Sequence, residues 1–172
     1  MLVSIDPEVN TASPPSRQQL WNRLADATAD PAATGAEHFN ATWLALQCTQ
    51  IPGAQQAVLV LGPPDTGPFL PVAFWPTGRA ATPLLAEVAD NALQARQPSV
   101  QQQDGLAAIA YPVMLGGHLH GLVALESAAR ADGAVQDAIR QLQWGVQGIE
   151  AALLRQDAQR EQATRERLMA TL

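Results

Sequence analysis

The chain has 172 residues and a mass of 18.2 kDa, carries one cysteine, and draws all ten of its basic residues from arginine. This excludes an internal disulfide framework, a multi-cysteine zinc site, a phosphate-binding lysine loop and Schiff-base chemistry. A net charge of −6 argues against a nucleic-acid partner held by phosphate neutralisation. The N-terminus lacks the basic and apolar regions of a signal peptide, and no window has the apolar length of a membrane span, so the expectation is a cytoplasmic segment that does not itself enter a membrane.

Residues 1–15 read as a disordered lead-in that ends on Pro14 and Pro15, and the domain body is expected over 16–154. Ser16 is placed to cap a helix over Arg17–Ala29, with Leu20, Trp21 and Leu24 on one face and Pro31 beyond its end. A second helical pattern runs from Ala32 to Gln50, carries Phe39, Trp43, Leu44 and Leu46, and stops at Pro52-Gly53. Residues 55–61 form a nearly continuous apolar run, the pattern of a central strand covered on both faces. Phe69–Trp75 is a second strand, which Pro71 assigns to a sheet edge. Pro83 is suited to open a helix that runs to about Arg96, and Ser99–Gln103 is a short polar strand.

Ala108–Leu115 and His118–Glu126 are strand-like runs joined by Gly116-Gly117, a tight-hairpin signal because glycine tolerates the positive φ such turns require. From Asp132 to Leu172 the chain has no proline and reads as one long helix without a C-cap. Val135, Ile139, Leu142, Val146, Ile149 and Leu153 step alternately by four and three, an a/d seam. Gly145 and Gly148 leave room for another helix to approach. Residues 155–172 are polar, with four arginines against three acids, and read as a connector helix. Strand hairpins mixed with helices indicate an α+β fold: a central antiparallel sheet of five or six strands, flanked by helices, with a long C-terminal helix.

This order resembles a GAF domain, a sensory fold of signalling proteins. The likeness rests on residues 53–61 as the first strand after its helix, and on residues 111–125 as the closing hairpin with its Gly121-Leu122-Val123-Ala124-Leu125 strand. It covers roughly residues 32–154. Residues 43–48 before Ile51-Pro52-Gly53, together with the Arg/Glu/Gln-rich tail, resemble the N-terminal GAF segments of HlyD-like membrane-fusion proteins of efflux and secretion. That likeness implies a fragment of a larger, inner-membrane-anchored protein. The lysine-containing signature of cyclic-nucleotide GAF domains is absent, as are the bilin-attachment pattern and the cysteines of the methionine sulfoxide reductases of this fold. The resemblance therefore names no cofactor and no ligand.

Several residues carry two readings. Phe74, Trp75 and Arg79 lie where the GAF likeness places a pocket rim, and two aromatics with a guanidinium suit a flat anionic molecule; alternatively, the aromatics fill the core. The seam from Val135 to Leu153 joins a second copy in a terminal-helix bundle, or packs on its own sheet. His118 and His120 alternate on a strand and are either two metal-ligand donors or a solvated hairpin edge. Cys48 is either a buried hydrophobe or a redox thiol. His38 beside Glu37 has no nucleophile to serve and reads as a solvated or capping pair. The expectation is a non-catalytic regulatory domain that binds a small molecule or a partner and forms a homodimer; the alternative is an assembly domain with no ligand.

Overall fold

The computed structural model describes residues 31–77, 81–128 and 133–172, with side chains from residue 37 onward. Its elements are α1 (Pro31–Gln50), β1 (Ala54–Leu61), β2 (Leu70–Trp75), α2 (Pro83–Ala95), β3 (Ser99–Gln103), β4 (Leu106–Leu115), β5 (His118–Ser127) and α3 (Ala134–Ala170). The expected lead-in and the expected helix with Leu20, Trp21 and Leu24 lie outside the described residues, as does Arg79.

The five strands form one antiparallel sheet in the order β2-β1-β5-β4-β3. β1 is internal, and Pro71 lies on an edge strand, where its missing N–H costs no ladder bond. The apolar run of β1 faces both ways. Ala57 and Leu59 join a core beneath α1 and α3 with Trp43, Leu44, Ile109, Val123, Leu125, Leu142 and Val146. Val58 and Val60 join a second core beneath α2, with Leu85, Val88, Ala92, Ala108, Ala110 and Leu122. Burial on both faces is why the run lacks polar alternation.

The hairpin turn has φ of 60° at Gly116 and 80° at Gly117, as a two-residue turn of this hand requires. At Gly121 the backbones of β5 and β1 meet so closely that a Cβ would collide with the Val60 carbonyl oxygen. α2 opens on Pro83 and is capped by Thr82. The Thr82 hydroxyl accepts from the Leu85 N–H (3.3 Å) and donates to Oε2 of the buried Glu126 (2.6 Å), while its backbone N–H donates to Gln56 Oε1 (3.1 Å). One residue thus ties the helix to β1 and β5.

α3 lies on the α1 face of the sheet. Gly145 and Gly148 do admit another helix, and it is α1 of the same chain. Gln47 packs over Gly145, Trp43 lies against Gly148, and the Trp43 indole N–H donates to the Gly145 carbonyl (2.9 Å). The Val135–Leu153 seam is spent in the same way. Leu142, Val146 and Ile149 are buried in the core, and Val135, Ile139 and Leu153 pack against it. Over so few turns a 3.5-residue period cannot be told from an ordinary amphipathic helix.

Beyond Gln156 every residue of α3 is exposed. Near its last residue the Thr171 hydroxyl donates back to the carbonyls of Arg167 and Leu168, as Thr164 does to Arg160 within the helix. Among the described residues, no helix is long and apolar enough to cross a membrane.

Candidate functional site

The sheet is irregular at the end where β1 stops. The β1–β2 register shifts between Leu59 and Val60, which leaves Val72 as the extra residue on β2. The β4–β5 register shifts between Val113 and Met114, which leaves His120 as the extra residue on β5. Such bulges bend a strand and re-aim a side chain.

Both bulge residues line one cleft of about 480 Å³. Its walls are Leu61 and the Gly62-Pro63-Pro64 loop on one side and Ile149, Ala152, Leu153, Gln156, Asp157 and Arg160 of α3 on the other; Asn40 of α1 completes it. The Gly62 N–H donates to the His120 carbonyl (2.9 Å) and fixes the loop against the bulge.

The cleft combines an apolar lining with a few polar groups, the composition of small-molecule sites. Asn40 is 8% exposed, yet its side chain has no hydrogen-bond partner among the described residues. Its amide atoms are not sealed in either, because no fully buried side-chain polar atom among the described residues lacks a partner. Asn40 is also one of the residues that line the cleft. Arg160 is ion-paired with Asp157 on α3 at 3.7 Å, longer than a closed charge-assisted hydrogen bond, and its side chain is largely exposed.

His118 goes elsewhere. Its Nδ1–H donates to Asp65 Oδ2 (2.6 Å), while Asp65 Oδ1 accepts from the Leu119 N–H (2.9 Å) and from Arg96 (2.7 Å). The Leu119 N–H first, then His118 and Arg96, hold the Asp65 carboxyl down at about 2. Asp65 takes φ +62° and ties the loop after β1 to the start of β5 and the end of α2. The two histidines thus do not converge: one completes this clamp and the other faces the cleft.

The other expected positions are placed as follows. Phe74 and Trp75 are neighbours on a strand and so face opposite sides; Phe74 packs into the α2-side core and Trp75 into the α1/α3-side core. They do not share a rim. Phe74 also borders a shallow, open depression with Glu37, Ala41, Pro71 and Thr77. Cys48 is buried, and burial pushes its thiol pKa far up, so it behaves as a small hydrophobe.

Sequence reasoning missed Asn40, Gln156, Asp157 and Arg160. Asn40 lies within a helical apolar pattern, and the other three lie in the stretch that reads as a polar connector helix. A bulge leaves no mark in a strand's hydropathy that would single out Val72 or His120.

A crystal structure from Burkholderia vietnamiensis, described as that of a "Putative GAF sensor protein", superposes with a TM-score of 0.51 at 19% identity, covering 80% of this chain and 92% of that one. The architecture is GAF-like. No family model matches the sequence, and no curated protein matches it. At this identity the likeness carries the fold and not the ligand.

Proposed function

We propose that this chain is a sensory domain in which a small molecule in the cleft at the end of β1 acts on α3. One observation carries the reading: the cleft straddles the point where α3 leaves the sheet. Ile149 is still buried in the core, Ala152 and Leu153 are half-buried, and Arg160 stands free of the body, yet all four line the same cavity. A ligand that touches both parts binds more tightly to one angle of the helix than to another, which is what a population shift requires. The GAF-like fold supports a sensory role in general.

We infer that the output is a homodimer built on the outer face of α3. Trp144 is exposed on the side opposite the buried seam, Leu154 is exposed on the seam's flank, and Leu168 lies two heptads beyond Leu154. The last turns of α3 have no partner within the described chain, and an isolated helix of this length is marginal in water. A second copy of the same helix matches these exposed residues by symmetry. A setting in an efflux- or secretion-related or signalling protein rests on the sequence likeness alone; Trp43 and Cys48, which contribute to that likeness, serve the core here.

The test is a thermal-shift screen of metabolites against the chain and its Ala152→Phe variant, followed by hydrogen exchange. A cleft ligand raises the melting temperature of the parent, as mass action demands, and not of the variant. It also slows amide exchange in the α3 turns from Ile149 to Arg160. If no compound discriminates between the two proteins, the ligand reading fails and the assembly alternative stands.

A further inference from the structure

We infer that the cleft takes a small organic acid: a carboxylate on a compact apolar body that carries a second hydrogen-bonding group. This deepens the sensory reading above and rests on it.

The class follows from what the walls leave unmet. Leu61, Val72, Ile149 and Leu153 offer an apolar surface with no hydrogen-bonding demand of its own, which suits an aliphatic or aromatic body. Asn40, without a hydrogen-bond partner among the described residues and with solvent-accessible amide atoms, offers a primary amide to a ligand atom. Arg160 supplies a planar fork of donors, and its ion pair with Asp157, at 3.7 Å, is longer than a closed hydrogen bond and leaves the fork able to meet a second carboxylate. His120, displaced into the cavity wall by its bulge, adds an imidazole. Asp157 is the sole carboxylate on the wall among the described residues, so an added acid meets one like charge beside a guanidinium.

Size points the same way. A cavity of about 480 Å³ holds a molecule of roughly amino-acid to hydroxybenzoate size with room for water, and lies toward the small end of ordinary ligand sites. The chain has no lysine, and among the described residues a single arginine borders the cleft, so a polyphosphate finds too little positive charge there.

The test is isothermal titration of the whole chain with para-hydroxybenzoate and mandelate, and with their primary amides as neutral isosteres. The acids are expected to bind and the amides to bind about tenfold or more weakly, with Arg160→Gln removing that preference. Arg160 is exposed on a helix, so this variant keeps the fold, as circular dichroism will verify. Asn40→Leu is the second arm and weakens the acids and the amides alike. Equal binding of acids and amides overturns the acid class while leaving the sensory site intact. Acid binding that survives Ala152→Phe places the ligand elsewhere and overturns the site itself. Failure of both acids and both amides overturns the acid class, and the sensory reading is then decided by the metabolite screen.

Discussion

Leu142→Ala separates a seam spent inside the chain from one that joins two chains. Leu142 is fully buried on α3, within the core that holds Trp43, Ile109 and Val146. The truncation removes three carbons from that core, about 2.4 kcal/mol at ~0.8 kcal/mol per buried methylene. The void it leaves adds up to about 1.7 kcal/mol at ~24 cal/mol per Å³, if the neighbours do not relax into a space of ~70 Å³. The expected loss is therefore about 2.5–4 kcal/mol, a large share of the roughly 5–15 kcal/mol that holds a domain together. With a urea m-value of about 2 kcal/mol/M for a chain of this size, the midpoint falls by about 1–2 M. The assay is urea denaturation followed by far-UV circular dichroism at two protein concentrations tenfold apart. The shift between Leu142→Ala and the parent should be the same at both. A loss under about 1 kcal/mol, or one that grows on dilution because the side chain sits between subunits, refutes this placement of the seam.

Four further outcomes are expected. Trp144→Glu combined with Leu154→Glu should shift sedimentation from dimer to monomer with little change in the unfolding of the body, because both side chains are exposed in one chain; a parent that already sediments as a monomer sinks the dimer proposal. Thr82→Ala should cost about 1–3 kcal/mol in denaturant melts, from the lost cap and from the donor withdrawn from buried Glu126. Asp65 ionises more readily folded than unfolded, so its stabilisation is complete above about 3.8 and is lost as pH falls towards 2. Asp65→Asn should therefore flatten acid unfolding in that window, and an unchanged acid limb would count against the clamp. The Cys48 thiol should react with a thiol reagent only at the rate of opening or unfolding, and rapid labelling in native buffer would contradict its burial.

Much of the framework was legible because it depends on local rules. Gly116-Gly117 specified a hairpin since only a residue without Cβ enters both turn positions easily, and Pro71 specified an edge since it has no N–H to give. The unbroken run of β1 indicated a strand covered on both sides. The Pro83 helix start followed from proline's fixed φ.

What was not legible is what depends on which face meets which. A heptad-like stripe records that a helix face is apolar and not whose surface covers it; packing assigned Leu142 and its neighbours to the chain's own sheet and left Trp144 and Leu154 outside. Adjacent aromatics at Phe74-Trp75 suggested a cluster, and strand alternation sent them into different cores. The cleft is the clearest case. Asn40, Val72, His120 and Arg160 come from four elements; register shifts place Val72 and His120 at the cavity, and helix packing brings Asn40 and Arg160 to it. Composition alone excluded the lysine and multi-cysteine chemistries, because a missing residue type is missing in every fold. Where the few polar groups converge was decided by the tertiary structure, because a bulge and a helix exit are properties of paired strands and packed faces, which no single stretch of sequence contains.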